Sequence, residues 1–377
     1  MKKITILALH LGYGGIERAI SMLANSLIST YEVTIVSTYK LYDEPPFALD
    51  DKIQVKYLIE DMIPNRTEFY SALKKLRIIN VLKEARKGYN ILKQKKKRMI
   101  EYIKSCNSDI IISTRDIHNE WLSKYGSNTS LKIGWEHNHH NGNQKYIKKI
   151  VTSVQGLDYF VLVSKELTEF YKEKLKDSRC KCVYIPNSID YIPEKKSILK
   201  NKNIVSIGRL SKEKGYEDLI EVYNIVHSKY PDWVLNIIGD GVEREKIEYK
   251  IKKYGLEKNI ILHGYQNRDY INEVLRKSSI YVMSSHTESF GIVILEAYSF
   301  GIPAVAFKSA QGACEIITDN WDGYLIKDRN KEQMAKRICE LIANYNRRFI
   351  MGKNASKKTE QYNVNIVKEK WIEMMEK

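Results

Sequence analysis

The sequence predicts an α/β protein made of two doubly wound parallel-sheet domains. Short apolar runs of strand length alternate with helix-length segments along the whole chain, a pattern typical of parallel sheets covered on both faces. The chain has 377 residues, more than one ordinary core accommodates. A polar stretch without periodicity, residues 185–203, interrupts the pattern near its middle and indicates the boundary between the domains.

The first half begins with a predicted strand, Ile4–Leu9, and a glycine loop, Gly12–Gly15. A helix is predicted from about Ile16 to Leu27, because its apolar residues recur on one side. The further predicted strands of this half are Glu32–Ser37, Ile110–Ser113, Leu131–Trp135, Tyr159–Val163 and Val183–Ile185.

The second half repeats this alternation. Its predicted strands are Ile204–Ile207, Val234–Ile238, Ile260–Leu262, Ile280–Met283 and Ala304–Phe307. We therefore expect an N-terminal domain over residues 1–190 and a C-terminal domain over 191–360. In the last segment, 361–377, an amphipathic helix is predicted that packs back toward the N-terminal domain. Ligands of such sheets bind outside the carboxyl ends of the strands, so two facing domains are expected to share a cleft.

Composition limits the possible classes of protein. The N-terminus lacks the pattern of a signal peptide, and no run of about 18 apolar residues predicts a transmembrane helix. The five cysteines have no zinc-site spacing and are odd in number, which favours a reduced, cytoplasmic protein.

The net charge of +16 is concentrated in one segment, residues 74–104. It holds twelve Lys and Arg residues against two Glu, a net charge of 12 − 2 = +10. An apolar stripe at helical spacing runs through it, formed by Ile78, Leu82, Ala85, Tyr89 and Leu92. The stripe indicates either a helix that faces the core or an interfacial helix that binds an anionic membrane from the cytoplasmic side.

The stretch "SSHTESFGIVILEAYSFGIPAV", residues 284–305, raises the question of what Glu296 contacts among apolar neighbours. A helix is predicted to begin at Ser289, Phe290 and Gly291 and to continue with Ile292. The free backbone N–H groups at the start of such a helix favour the binding of a phosphate. Glu296 would then lie near a ribose, unless it pairs with a core lysine or a backbone N–H. Glu288 either serves the same site or caps the helix.

Two further loops follow predicted strands. Arg209 and Lys214, in "GRLSKEKG", place two cations where a diphosphate could bind. Gly14 and Gly15 precede a helix, as in nucleotide-binding turns. The loop is not GxGxxG, and the second strand lacks a terminal acidic residue, so NAD binding is disfavoured.

Three histidines, 137, 139 and 140, lie in "GWEHNHHN". Their spacing fits no usual zinc site, so no metal is expected. His137, at the end of a strand, is interpreted as a ligand contact or as an ordinary polar residue of a cleft.

Taken in order, these motifs resemble the retaining glycosyltransferases of family 4, or glycosyl transferases group 1, which have the GT-B fold of two facing Rossmann-like domains. The resemblance covers nearly the whole chain. Its signature is the E-x7-E pair Glu288 and Glu296 followed by "GIPAV", and "GGIER", "HN", "IPNSID" and "GRLSKEKG" support it. "IPNSID" has Ser188 where the family usually has glycine.

The resemblance also implies roles. Glu288 would lie at the donor sugar, Glu296 would bind the ribose, and Arg209 and Lys214 would hold the diphosphate. His137 would touch the sugar. The remaining predicted contacts with the donor are made by Gly14, Gly15, Tyr265 near the base, Ser289, Phe290, Gly291 and Ile292.

The function implied is transfer of a sugar from UDP- or GDP-sugar to a lipid-linked or glycan acceptor during synthesis of bacterial surface polysaccharide. The reaction would retain the anomeric configuration by same-face substitution, without metal or cofactor. A nucleotide-sugar epimerase of the same fold is the alternative enzyme. The net charge also suggests a nucleic-acid binder, but the sequence has no recognition motif for one, and we expect no nucleic-acid partner.

Overall fold

The structure is a computed structural model that describes residues 1–61, 70–71, 73–74 and 78–377. The predicted basic segment 74–104 is therefore described except for residues 75–77. The chain divides into two compact units, Met1–Ile185 with Lys368–Lys377, and Pro186–Val367. The division falls after Ile185, where the sequence predicted it after residue 190.

Among the described residues, seven parallel strands form the sheet of the first unit. They are β1 (Lys3–His10), β2 (Glu32–Tyr39), β3 (Gln54–Ile59), β4 (Ile110–Ser113), β5 (Leu131–Glu136), β6 (Tyr159–Leu162) and β7 (Lys181–Tyr184). Their order in the sheet is β3-β2-β1-β4-β5-β6-β7. The central strands are buried because both faces are covered; Ile4, Ile6 and Leu7 of β1 are each 0% exposed.

The described helices of the first unit connect these strands or follow them. They are α1 (Gly15–Leu27), α2 (Ile78–Ser105), α3 (Asp116–Tyr125), α4 (Gln144–Val154) and α5 (Lys165–Lys174). The C-terminal residues complete this unit: Trp371 is buried and its ring lies 5.0 Å from that of Trp135, in an edge-to-face contact.

The second unit has a sheet of six described parallel strands, in the order β10-β9-β8-β11-β12-β13. The strands are β8 (Asn203–Ile207), β9 (Val234–Ile238), β10 (Ile260–Leu262), β11 (Ile280–Met283), β12 (Ala304–Phe307) and β13 (Gly323–Ile326). The helices are α6 (Tyr216–His227), α7 (Arg244–Lys253), α8 (Arg268–Arg276), α9 (Ile292–Ser299), α10 (Gln311–Ile316), α11 (Lys331–Ala343), α12 (Tyr345–Lys358) and α13 (Val364–Met375), the last of which ends in the first unit.

The predicted fold class, two doubly wound parallel-sheet domains, is confirmed. The structure adds β3 and β13, which the sequence analysis missed, and it begins β7 at Lys181 where the predicted strand began at Val183. Among the described helices, none is long and apolar enough to cross a membrane.

Candidate active site

Two loops of the second unit contain three of the predicted catalytic residues. The loop after β8 contains Arg209 and Lys214, and the loop after β11 contains Glu288. Because β8 and β11 are neighbouring parallel strands, both loops leave the sheet at the same edge. The Lys214 ammonium lies 2.5 Å from the Glu288 carboxylate, and the two side chains are 22% and 17% exposed. The structure thus brings together two residues that the sequence assigned to one site.

Backbone contacts hold these loops together. The Ser284 hydroxyl donates to the carbonyl of Lys214 at 2.9 Å, and the backbone N–H of His286 donates to the carbonyl of Glu213 at 2.8 Å. Gly215 has a left-handed φ of 64°, and a Cβ there would lie 2.3 Å from the Ser284 carbonyl oxygen. A glycine at this position therefore allows the close approach that the Lys214–Glu288 pair needs.

Arg209 occupies a more open position on the same loop. Its guanidinium lies 3.7 Å from the Glu213 carboxylate, and its side chain is 67% exposed. An exposed pair of this kind contributes ~0–1 kcal/mol. The guanidinium can therefore turn toward an anionic ligand with little loss of stability.

The segment after Glu288 differs slightly from the prediction. The helix begins at Ile292, and Gly291 precedes it as the N-cap with a left-handed φ of 88°. That backbone conformation excludes Ser289–Gly291 from the helix, so the predicted start is three residues early. The backbone N–H of Gly312 in α10 donates to the Glu288 carbonyl at 2.7 Å. This contact fixes the backbone of the segment that leads to the helix N-terminus.

Glu296 pairs with an arginine. Its carboxylate is 2% exposed and accepts a hydrogen bond of 2.5 Å from Nη1 of Arg268, at the start of α8. The Arg268 guanidinium also lies 5.8 Å from the ring centroid of Tyr191. The sequence analysis considered a lysine or a backbone N–H as the non-catalytic partner and missed Arg268. The pair lies within the second unit and explains how a buried carboxylate stays compensated.

Tyr265 lies on the exposed loop after β10, and its side chain is 58% exposed. Gly264 before it has a φ of 69°, and its carbonyl accepts from the backbone N–H of Gly239 at 2.9 Å. The loop is thus anchored to the segment that follows β9. It leaves the same carboxyl edge of the sheet as the loops that contain Lys214 and Glu288.

The glycine loop of the first unit lies beside an ion pair whose carboxylate is buried. A Cβ on Gly14 would lie 2.1 Å from the Glu17 carboxylate, whereas Gly15 has open space around it. Glu17 is 4% exposed and accepts a 2.6 Å hydrogen bond from Arg115, which follows β4. The sequence analysis missed this pair, because its two residues lie on different elements. A larger residue at position 14 would therefore displace the Glu17 carboxylate, whereas position 15 has room for a side chain.

His137 is buried at the end of β5, 7% exposed. Burial, with a smaller effect of Arg115, lowers the pKa of His137 to about 3, so its imidazole is neutral. The neighbouring Glu136 carboxylate accepts from the backbone N–H groups of His137 and Asn138, at 3.0 and 2.7 Å. Glu136 thus orients the segment that contains His137, a role that the sequence analysis missed.

The histidine segment was the only motif that suggested a metal. His139 lies 3.3 Å from Glu166, and the rings of His139 and His140 lie 4.5 Å apart. In the described part of the chain, no three His, Cys, Asp or Glu residues form a group that could hold a metal ion.

Comparison with known proteins indicates the class of enzyme. Residues 188–358 match the family model "Glycosyl transferases group 1". An uncharacterized glycosyltransferase of Haemophilus influenzae is 28% identical over 383 residues, covering 98% of this chain and 99% of that protein. A Campylobacter jejuni N-acetylgalactosaminyltransferase that acts on an undecaprenol-linked saccharide is 25% identical and covers 100% of this chain and 98% of that protein.

Solved structures show the same architecture. A point mutant of TarM of S. aureus, in complex with Fondaparinux, alpha-GlcNAc-glycerol and UDP, has a TM-score of 0.81 at 18% identity and covers 100% of both chains. The relatives in sequence also include the amylovoran biosynthesis glycosyltransferase AmsD of Erwinia amylovora, which is 26% identical and covers 96% of this chain and 96% of that protein. Residues 188–358 are thus similar to group 1 glycosyltransferases, the full-length relatives in sequence are glycosyltransferases, and the solved structures share the two-domain α/β fold.

Proposed function

We propose that this protein is a retaining, metal-independent glycosyltransferase of family 4. It transfers a sugar from UDP- or GDP-sugar to a lipid-linked or glycan acceptor in the synthesis of a bacterial surface polysaccharide. The observation that supports this most is the Lys214–Glu288 pair, at 2.5 Å, within the segment that matches the family model.

The chemistry follows from the charges at this edge of the sheet. Breaking the bond between the sugar and the diphosphate develops negative charge on the leaving nucleotide. Lys214 supplies a positive charge that its ion pair holds in place, Arg209 adds a mobile one, and the start of α9 adds the positive end of a helix dipole. Glu288 keeps the ammonium of Lys214 in place, and in this proposal its carboxylate also faces the donor sugar.

The retaining course is proposed from the resemblance to the retaining glycosyltransferases of family 4. Substitution on one face keeps the attacking hydroxyl beside the departing phosphate, so the reaction needs no covalent intermediate on a protein nucleophile.

The donor and the acceptor are proposed from relatives. The TarM complex contains UDP, and the name of the Campylobacter jejuni relative specifies an acceptor on undecaprenyl diphosphate. A lipid-linked acceptor would require the enzyme to work at the cytoplasmic face of the membrane.

Thermal shift with nucleotides is the first test. We expect UDP or GDP, and the matching sugar nucleotide, to raise the melting temperature by several degrees, because a ligand that binds only the native state stabilises it. The preferred donor is then incubated with saccharide acceptors, with and without EDTA. Transfer that persists in EDTA and gives a product with the donor's anomeric configuration would support the proposal. If no nucleotide raises the melting temperature, the proposal fails, and interconversion of sugar nucleotides without transfer would indicate the epimerase.

The membrane is proposed as a second partner because of the surface of α2. Four apolar residues of the predicted stripe are more than half exposed: Ile78 73%, Leu82 66%, Tyr89 67% and Leu92 61%. Ala85 is exposed as well. The five residues of the stripe thus lie on the surface of the described structure, whereas the buried residues of α2 are Ile91, Met99 and Ile103. An exposed apolar stripe among cations is typical of helices that lie in an anionic interface.

Binding to liposomes tests this partner. We expect the protein to sediment with anionic liposomes at low salt and not with neutral ones, since each surface cation contributes on the order of 1 kcal/mol near an anionic membrane. The same part of α2 carries four exposed cations, Lys83, Arg86, Lys87 and Lys93. Their replacement with glutamate should abolish sedimentation.

A matched variant controls for net charge. Glutamate at four exposed lysines of the second unit, Lys229, Lys252, Lys253 and Lys258, changes the total charge equally and should leave sedimentation intact. Loss of binding in both variants to the same degree would mean that α2 has no special role, and binding of both as well as the parent would refute the membrane proposal.

A further inference from the structure

Arg329 makes a set of contacts that its position in the sequence does not suggest. It follows β13, in a short 3-10 segment, with a left-handed φ of 49°. Its Nη1 donates to the Ser285 carbonyl and to the Ser309 hydroxyl, each at 2.9 Å. Its Nη2 donates to the Ser284 carbonyl at 2.9 Å and to the Asp218 carboxylate at 2.5 Å. One guanidinium therefore joins segments that follow β11 and β12 to helix α6.

The same guanidinium is fixed on a second side by an aromatic ring. Its Cζ lies 4.4 Å from the ring centroid of Phe307, the last residue of β12. Phe307 is completely buried, so the ring is itself held by the core. A guanidinium that is stacked and hydrogen-bonded in this way has few alternative positions.

Asp218 completes the arrangement. Its carboxylate accepts the hydrogen bond from Arg329. The same carboxylate lies 3.1 Å from the Lys331 ammonium and 3.7 Å from the His286 imidazole. Burial acts to raise the pKa of Asp218, but the hydrogen bonds from Arg329 and Lys331 outweigh it and lower that pKa. Asp218 is therefore ionised at neutral pH and keeps Arg329 in place.

These contacts lead directly to the proposed catalytic pair. Ser284, which Arg329 holds by its carbonyl, donates its hydroxyl to the Lys214 carbonyl at 2.9 Å. Ser284 and Ser285 begin the loop that ends at Glu288. Arg329 is thus connected to the Glu288 loop through the Ser284 and Ser285 carbonyls, and to the Lys214 loop through the Ser284 hydroxyl.

We infer that Arg329, held by Asp218, is a positioning residue that fixes the Ser284–Glu288 loop against Lys214, so that the pair is already arranged when the donor binds. This inference rests on the proposed function. Arg329 acts through the loop and does not itself contact the substrate. A lysine would keep the charge but could not serve four acceptors in one plane.

The test compares Arg329→Lys with a matched substitution, Arg337→Lys. Arg337 also pairs with a carboxylate, Glu340 at 2.7 Å, and its Cζ also lies over a ring, 4.7 Å from the centroid of Tyr324. It lies in α11, outside the loops of the proposed site. We expect Arg329→Lys to lower kcat by about tenfold, since misplaced catalytic groups stabilise the transition state less well. The KM for the donor should change by less than about threefold, and Arg337→Lys should leave both within about twofold.

Amide hydrogen exchange of the ligand-free protein provides a readout that does not depend on activity. The backbone N–H of His286 donates to the Glu213 carbonyl at 2.8 Å and reports on the loop directly. We expect its exchange to become about tenfold faster in Arg329→Lys, and to be unchanged in Arg337→Lys. Unchanged exchange at His286 would overturn the inference, even if the enzyme transfers sugar as proposed.

The remaining outcomes separate the two proposals. Faster exchange together with normal kcat would overturn the link between loop position and catalysis. A parent protein that transfers no sugar would overturn the proposed function, while the exchange comparison would still decide whether Arg329 holds the loop. A fall in kcat that is matched in Arg337→Lys would indicate a general loss of stability and would also overturn the inference.

Discussion

Replacing Lys214 with alanine is expected to lower turnover by about 100-fold or more, and Arg209→Ala should do the same. Each substitution removes positive charge from the place where the leaving diphosphate develops negative charge. Lys214→Ala also removes the ammonium that lies 2.5 Å from the Glu288 carboxylate, so this carboxylate, 17% exposed, loses its cationic partner. That carboxylate would then repel the diphosphate. Turnover is measured at saturating donor, so that weaker binding does not enter the comparison.

Lys212 provides the control for this experiment. It lies in the same short 3-10 segment as Lys214, and its side chain is exposed to solvent. Lys212→Ala removes one positive charge from the same loop without removing the contact with Glu288, and we expect turnover within about twofold of the parent. Near-normal turnover in both Lys214→Ala and Arg209→Ala would refute the diphosphate assignment, and an equal loss in Lys212→Ala would attribute the effect to net charge.

The fold could be predicted where burial alone determines the local pattern. Strands such as β1 and β11 are covered on both faces, so they are continuous apolar runs that the sequence displays directly. β3 is an edge strand in which exposed and partly buried residues alternate, and β13 begins with a glycine. β3 thus gives no continuous apolar run, and β13 gives one of only three residues, Tyr324–Ile326; the sequence analysis missed both strands.

The candidate site was predictable where its residues follow strands within short motifs. Lys214 and Glu288 belong to loops at the same edge of a parallel sheet, so the motifs alone indicated their proximity. Arg268, Arg329 and Glu136 could not be found in this way. The side chains of Arg268 and Arg329 contact residues on other elements, far away in the sequence. The Glu136 carboxylate accepts hydrogen bonds from the backbone that follows it. Only the three-dimensional structure shows these contacts.

Glu296 shows how such a partner changes the interpretation of a motif. The sequence raised two alternatives, a ribose contact and a purely structural pair. The contact with Arg268 shows that the structural pair exists. It does not exclude the ribose, because a carboxylate has about four acceptor positions and can receive a guanidinium and a hydroxyl together.

Glu296→Gln separates these alternatives. If Glu296 binds the ribose, the substitution should weaken the binding of UDP or GDP by roughly 10- to 100-fold, because a hydrogen bond to a charged group contributes about 1.5–3 kcal/mol. Turnover at saturating donor should stay within about threefold, since the ribose contact is the same in the ground state and the transition state. The dissociation constant is measured by calorimetric titration, and the melting temperature is recorded for the same samples.

The control is Glu340→Gln, which changes a carboxylate that pairs with Arg337 at 2.7 Å in α11. Each substitution weakens one carboxylate–arginine pair. Because Glu296, at 2% exposed, is the more buried carboxylate, we expect Glu296→Gln to lower the melting temperature more than Glu340→Gln does. Only Glu296→Gln should change the nucleotide dissociation constant. If it lowers the melting temperature while nucleotide affinity stays at the parent value, Glu296 serves only to hold Arg268. A turnover defect with unchanged donor affinity would instead place its carboxylate at the reacting sugar, because only a contact made in the transition state affects kcat alone.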